Sequence, residues 1–378
     1  MTTFAGGAGA RAVQEASRVL VLRADDLGDN VMASGFPPAL ARSINGECGF
    51  IGPPAMLDLM DVSRLAFVAG VDCRPRSRRD VFTAGRRVRA EINRFDPDVV
   101  LLPRFDFERE ALAVALLGVH PRTTITWARN ATPKRHRRDW WLSVLPGPRL
   151  AATGVPTREF GRLQHFARFV GVDPADIGPA LAVPAAAVPE LAEVAGPLVA
   201  VAIGAAQARR WWPLDRYAAV IDSLGRSGCT TVLLGSPDEA GRGRDLRTQL
   251  RDATPVVDLI GRVPLGQIAA VLSRCELFIG NDSGLGHVGA AVGTPTVIVS
   301  CHPVGAPSDH VNAPERYQPI GGRSIVVRPT SAREARCAAG CTPVDEPCCI
   351  TQVPVEAVLD ACRTLMVALG TAAGDHGS

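Results

Sequence analysis

Glu276-Leu277-Phe278-Ile279-Gly280-Asn281-Asp282-Ser283-Gly284-Leu285-Gly286-His287 joins an apolar run to a small polar loop, and Val288-Gly289-Ala290-Ala291-Val292-Gly293-Thr294-Pro295 follows. The run at 276–279 predicts a buried strand. The stretch after the loop predicts a short helix, closed by Gly293 and Pro295. Strand, polar loop and helix start together make an anion site, because the first N–H groups of a helix lack intrahelical partners and favour negative charge. Phosphate is the usual guest. The stretch therefore points to a phosphorylated small molecule, a nucleotide first of all.

The same punctuation recurs on both sides. Residues 18–23 predict a buried first strand, 25–29 a loop and 31–44 a helix. Residues 48–52 and 99–102 predict strands, the second introduced by the turn signal Asp96-Pro97-Asp98. Residues 111–117 predict a helix and 123–127 a strand. Pro174, Pro179, Pro184, Pro189 and Pro197 then space a segment that cannot hold a long helix. The pattern restarts with strands at 198–203, 230–234, 256–260, 277–279 and 296–299, and with helices at 214–225, 240–251 and 265–274 between them. Strands alternating with helices imply parallel sheets covered on both faces. The expected organisation is a tail at 1–17, a doubly wound domain at 18–180, a linker at 181–197, a second doubly wound domain at 198–353, a final helix at 354–370 and a tail at 371–378. Two such halves are expected to face a cleft, with ligands at the carboxyl ends of the strands.

With 378 residues, 47% of them apolar, the chain has enough material for two ordinary cores, and global disorder is excluded. A net charge of +3 makes no demand for a nucleic-acid partner. Lys134 is the single lysine against many arginines, a bias typical of a GC-rich genome. No apolar run reaches the roughly 20 residues of a membrane helix, and the first 17 residues lack the order of a secretion signal. A cytoplasmic protein with reduced thiols is the expectation.

Four strand-end loops can carry chemistry. Arg23-Ala24-Asp25-Asp26-Leu27-Gly28-Asp29-Asn30 places three carboxylates just before a helix. One of them suits a helix cap, and spacing alone favours that use; another can serve as general base toward a hydroxyl. Gly204-Ala205-Ala206-Gln207-Ala208-Arg209-Arg210-Trp211-Trp212-Pro213 offers two cations able to grip a diphosphate; one arginine and one tryptophan are expected to be structural. Glu239 can accept hydrogen bonds from a ribose diol, although Asp238-Glu239 also suits a helix start. In the opening loop, Asp282 suits loop organisation better than anion contact. Ser283 and the backbone of Gly284 and Leu285 are the phosphate candidates. His287 can reach the same anion or cap the loop.

Taken together, these loops resemble glycosyltransferase family 9, the heptosyltransferase family, from about Val19 to Leu365. The carriers are Arg-x-Asp-x-x-Gly-Asp (Arg23, Asp25, Gly28, Asp29), Arg-x-Trp-Pro (Arg210, Trp212, Pro213), Gly-x-Pro-x-Glu (Gly235, Pro237, Glu239) and Asn-Asp-Ser-Gly-x-x-His (Asn281 to His287). The resemblance implies a GT-B fold: two Rossmann-like domains facing a cleft, with the C-terminal helix crossing back to the N-terminal domain. It implies inverting, metal-independent transfer from a nucleotide sugar, commonly ADP-heptose, with no cofactor. By position, Asp29 becomes the general base. Arg210 stands where the family has a diphosphate-binding lysine. Glu239 matches the ribose contact, Asp282, Ser283, Gly284, Leu285 and His287 the diphosphate loop, and the backbone near Val263 the adenine contact. Gly204 opens the donor-side loop, while Arg23, Asp25 and Gly28 fall on the acceptor side. Ala205 and Ala206 replace hydroxyl residues of better-known members, and arginine replaces lysine at 210, which leaves the exact donor open.

Residues 129–138 hold the densest basic run, including Arg135 and Arg137, ahead of Trp140-Trp141. It suits an acidic acceptor, a peripheral contact with an anionic membrane or a solvated loop. The acceptor is either a cell-envelope glycan or a small natural product such as an aminoglycoside or nucleoside. A non-catalytic nucleotide-sugar binder would need no base, and an epimerase of the same fold would need no acceptor. Cys337, Cys341, Cys348 and Cys349 lack the paired Cys-x2-Cys of a zinc knuckle. Buried thiols or a local structural role, with no metal, are the favoured reading there, and zinc is the minority alternative.

Overall fold

The computed structural model describes residues 7–23, 25–72, 78–105, 109–119, 122–127, 145–151, 154–185, 188–310, 312–338 and 346–374. The basic run with Arg135 and Arg137, and Cys341, lie outside them. The chain divides into two compact units, Met1–Leu181 and Ala182–Ser378.

In the first unit, β1 (Arg18–Leu22), β2 (Glu47–Gly52), β3 (Phe67–Gly70), β4 (Val99–Leu101), β5 (Thr123–Trp127) and β6 (Arg149–Leu150) form one six-stranded sheet. Its order is β3-β2-β1-β4-β5-β6, and every pairing is parallel. Four of the five residues of β1 are buried, as the continuous apolar run requires when helices cover both faces. Leu20, Leu22, Ile51 and Val100 of this sheet share a core with Val88 and Ile92 of the helix Arg78–Phe95. The single helix expected at 31–44 is instead two, Leu27–Met32 and Phe36–Ser43. Pro37 and Pro38 are the reason: each lacks the N–H that a continuing helix would use, and both are accommodated in a fresh first turn. Gly35 stands at the break, where a Cβ would lie 1.8 Å from the carbonyl oxygen of Gly178.

The second unit repeats the plan with β7 (Leu198–Ala202), β8 (Thr230–Leu234), β9 (Val256–Asp258), β10 (Leu277–Asn281), β11 (Thr296–Val299) and β12 (Ser324–Val327). The order β12-β11-β10-β7-β8-β9 is the first sheet's order read from the other edge, again all parallel. Both sheets are therefore doubly wound, with the reversal of strand order between β1 and β4 in one and between β7 and β10 in the other. The loops leaving those strands flank the crevice where such sheets take ligands.

The C-terminal helix is Val355–Gly374. Its Val358, Ala361, Cys362 and Leu365 are buried in one core with Val220, Val297 and Val299 of the second unit. The helix also touches β10, β11 and β12. Each large aliphatic side chain buried there is worth about 1.5–3 kcal/mol. These four side chains belong to the core of the second unit.

Candidate functional site

In the second unit the site is organised around Asn281, the last residue of β10, which is wholly buried. Its Nδ2 donates to the carbonyl oxygens of Ile203 (2.9 Å) and Gly204 (3.2 Å), at the end of β7. Its Oδ1 accepts from the backbone N–H of Trp212 and from the Tyr217 hydroxyl, both at 3.0 Å. One amide therefore ties the loop after β7 to the loop after β10, across the strand-order reversal. Burial raises the Tyr217 phenol's pKa, so the hydroxyl stays a donor. Sequence reading quoted Asn281 within its motif but gave it no task. The signal was present: a polar residue closing a buried apolar strand needs partners.

Arg210 leaves the β7 loop with both ends of its fork engaged. Nη1 donates to the carbonyl oxygen of Asp282 (3.0 Å), and Nη2 to Oδ1 of Asn312 (2.8 Å). The Asp282 carboxylate lies 3.9 Å away. Arg209 is buried and also donates to Asn312 Oδ1, at 3.2 Å. Trp212 is buried, its Nε1 bonded to the Val353 carbonyl at 3.0 Å. Trp211 is half-buried, its indole N–H reaching the Ala205 carbonyl, with the Arg242 guanidinium 4.1 Å from its ring centre. Asn312 and Arg242 escaped the sequence reading, because nothing in their local sequence marks them.

Ser283 is the N-cap of the helix Gly284–Ala291 and makes no side-chain cap bond. The loop keeps its place through the Asp282 N–H, which donates to the Val299 carbonyl at 3.2 Å. Gly284 and Leu285 occupy the first turn, where backbone donors point out of the helix end. His287 sits inside this helix and is buried, with no hydrogen-bond partner at Nδ1. Burial lowers its pKa to about 4, outweighing the attraction of Asp282; the ring is a neutral wall beneath the helix start.

Glu239 lies in a slot opened by two glycines. A Cβ on Gly204 would come within 1.4 Å of its Oε1, and one on Gly235 within 2.4 Å of its Oε2. Oε2 accepts the Ser236 backbone N–H at 2.8 Å, closing a capping box on the turn Pro237–Glu239. The backbone after β9, which leads to Val263, is anchored by the Gly261 N–H on the Gly235 carbonyl at 3.0 Å. Gly204, Glu239 and the segment at 261–263 therefore adjoin one another through these contacts.

In the first unit, Asp25 is buried and salt-bridged to both Arg23 and Arg104. Arg104 follows β4, so this pair spans the strand-order reversal of the first sheet. Burial lowers the Arg23 guanidinium to about 10 against the opposing pull of Asp29 and Glu159; it remains a cation at neutral pH. Gly28 and Asp29 lie in the first turn of the helix Leu27–Met32, whose N-cap is Asp26. Arg23, Asp29, Pro103, Glu159 and Phe160 line a narrow recess with a cavity volume of only about 10 Å³. Glu159 pairs with Arg162 at 2.9 Å. Arg104 and Glu159 are the residues sequence reading missed here; both come from distant segments and carry no motif.

Residues 162–327 match the profile of glycosyltransferase family 9 (heptosyltransferase). Lipopolysaccharide heptosyltransferase 3 of Escherichia coli K12 is 33% identical over 101 residues, 25% of this chain and 27% of that protein. Lipooligosaccharide heptosyltransferase 2 of Haemophilus influenzae is 27% identical over 119 residues, 31% of this chain and 32% of that protein. The chain thus aligns with about a third or less of the length of these curated relatives. A family 9 glycosyltransferase of Veillonella parvula superposes with a TM-score of 0.73 at 20% identity, over 93% of this chain and 98% of that one. E. coli ADP-heptose lipopolysaccharide heptosyltransferase II superposes at 0.62 and 19% identity, over 93% and 99%. E. coli heptosyltransferase WaaC, solved with ADP-2-deoxy-2-fluoro heptose, does so at 0.59 and 16% identity, over 92% and 99%. Two parallel doubly wound domains and the likeness to these structures agree that the chain has the GT-B fold, and its residues 162–327 are similar to glycosyltransferase family 9.

Proposed function

We propose that this protein is an inverting glycosyltransferase that moves a heptose or related sugar from a nucleotide donor, ADP-heptose first, to a hydroxyl of an acceptor. The observation that carries the reading is the donor-loop arrangement of the second unit. Arg210 is fastened to the loop that starts the helix Gly284–Ala291, and the Glu239 carboxylate is held in its glycine slot beside Gly204. A cation and a helix N-terminus at one loop suit a diphosphate, and a fixed carboxylate suits a ribose diol. The likeness to relatives that use ADP-heptose supports the choice of donor.

Under this reading Ser283 and the backbone of Gly284 and Leu285 bind the diphosphate. Asp282 holds Arg210 in place, and His287 supplies a neutral, water-poor floor. The backbone at Val263 receives the adenine. Attack comes from the face opposite the diphosphate, so the anomeric centre inverts. Asp29 takes the acceptor proton as the new bond forms. Arg210 and the helix N-terminus meet the charge that builds on the departing ADP, the role a divalent ion fills in other transferases. The acceptor is a glycan of the cell envelope or a small hydroxyl-rich natural product, and Arg23 and Gly28 shape its side of the reaction.

The test is transfer from ADP-heptose, in buffer with a chelator, to one acceptor of each kind, followed by mass spectrometry and NMR of the product. A glycoside with inverted anomeric configuration is expected, and Asp29→Asn is expected to lower the rate at least about 100-fold while ADP still binds. Release of an altered sugar nucleotide without acceptor would make the protein an epimerase. ADP binding without turnover would leave it a nucleotide-sugar binder.

A further inference from the structure

Among the described residues between β12 and the C-terminal helix, Ile350 and Val353 join the main core of the second unit, and the rest of the segment has little apolar core of its own. Its buried cluster consists of Cys337, Cys348 and Cys349, with Ala332 packed against them. Cys337 ends the turn Ala335–Cys337, and Cys349 begins the turn Cys349–Gln352. Two separate turns thus deliver three sulfur atoms to one point, all within 4.8 Å of one another and all from buried residues. The Sγ atoms of Cys337 and Cys348 are 3.9 Å apart, nearly twice the ~2.05 Å of a disulfide. Tetrahedral thiolates around a zinc ion, each bound at ~2.3 Å, stand about 3.8 Å apart. The observed spacing is that of ligands sharing an ion.

We propose that Cys337, Cys348 and Cys349 form a structural site for a thiophilic divalent metal ion, zinc(II) in the first place. Three thiolates take three vertices of a tetrahedron, and Glu334 Oε1, 3.5 Å from Cys348 Sγ, lies within reach of the fourth. Binding requires the thiols to give up their protons to solvent. The Arg333 backbone N–H, 3.4 Å from Cys349 Sγ, supplies a hydrogen bond of the kind that supports a thiolate ligand. Ahead of Ile350, where the buried cluster is three thiols and not an apolar core, the ion supplies order, as in small metal-clamped modules.

The site lies outside the donor loops but is joined to them. Cys349 opens the turn that runs to Val353, and the Val353 carbonyl accepts both the Trp212 indole N–H and Arg216. Trp212 follows Arg210 and Trp211 in the chain. Loss of the ion would therefore loosen the back of the loop that carries Arg210, without removing any group that touches a substrate.

The experiment is metal analysis of the full-length wild-type protein, purified under reducing conditions without an affinity metal resin, together with Cys349→Ser, Cys348→Ser and the control Cys48→Ser. One zinc per chain is expected, or one ferrous iron if the host loads that ion, and either result supports a thiolate site. The metal should be lost in Cys348→Ser and Cys349→Ser and kept in Cys48→Ser, whose cysteine lies in the first unit. Cobalt(II) reconstitution should give a thiolate-to-metal charge-transfer band and tetrahedral ligand-field bands. Chelation should lower the Tm by about 10 °C or more. Wild-type protein that folds, holds no metal, takes up neither zinc nor cobalt and shows the three thiols reduced overturns the proposal, as does a disulfide among them. These readouts need no transfer activity, so they stand apart from the outcome of the glycosyltransferase assay.

Discussion

Arg210 Nη2 donates to Asn312 Oδ1 at 2.8 Å, across 102 residues of chain. The same oxygen accepts from Arg209 at 3.2 Å. A neutral amide thus holds two cations side by side without cancelling their charge, which a carboxylate in its place would do. The loop after β11 thereby sets the direction of the guanidinium that the donor reading assigns to the diphosphate.

Asn312→Ala should therefore weaken nucleotide binding with little loss of fold. A hydrogen bond to a charged group is worth about 1.5–3 kcal/mol, so ADP affinity should fall about tenfold or more. Calorimetric titration with ADP reads this directly. An unchanged Kd would remove Asn312 from the site.

Gly204→Ala should displace the Glu239 carboxylate, because the added Cβ falls 1.4 Å from Oε1. The carboxylate can swing away, so the cost to folding should be about 1 kcal/mol, that of a lost helix cap. The ribose contact should suffer more. Wild type should prefer ADP over its 2′,3′-dideoxy analogue, and both Gly204→Ala and Glu239→Gln should abolish that preference. A preference that survives both substitutions places the ribose elsewhere.

His287 makes stability depend on pH. Its folded pKa is lowered to about 4 by burial, against about 6.5 in the unfolded chain. Between those values the unfolded state binds a proton that the native state refuses. Stability present above pH 6.5 is thus lost as the pH falls toward 4, by about 3 kcal/mol at most. His302 and His310 are also shifted downward, chiefly by burial, so the test is the difference between wild type and His287→Asn. Denaturant melts from pH 7.5 to 4 should show a shallower slope in the variant. Parallel slopes would refute a buried neutral His287.

Asp25 is predicted to be a framework residue. It is buried between Arg23 and Arg104, and removing one member of such a group costs about 3–5 kcal/mol. Asp25→Ala should destabilise the first unit by that order in urea melts. Asp25→Leu combined with Arg104→Met should recover part of it, since Arg104 then leaves no lone buried charge while Arg23 keeps the attraction of Asp29 and Glu159. Wild-type stability in Asp25→Ala would show the ion pairs to be unimportant.

Much of the architecture is legible in the sequence because it is local. Apolar or β-branched runs, most of them bounded by Gly or Pro, marked β1, β4, β5, β7, β8 and β10. β3 and β12 were not marked: the first is four residues ending in Ala-Gly, and the second has only Ile325-Val326-Val327 as its apolar signal. The helix break at Pro37 was written in the sequence but overridden by an apolar pattern that continued through it. In the site, the four motif loops could be placed by their glycines and charges, whereas Asn312, Arg242, Arg104 and Glu159 arrive from segments with no pattern of their own.

The order of strands and loops, the helix N-terminus after Asp282 and the arginine at 210 were determined by the sequence alone, since each depends on neighbours within a few residues. Only the tertiary structure decided which carboxylate at the end of β1 is framework. Asp25 and Asp29 are alike in sequence, but of the two only Asp25 is buried, against an arginine from the loop after β4, and burial is a property of the packed sheet. The same holds for the three cysteines. Their sequence spacing fits no knuckle, yet two turns bring their sulfur atoms within 4.8 Å of one another.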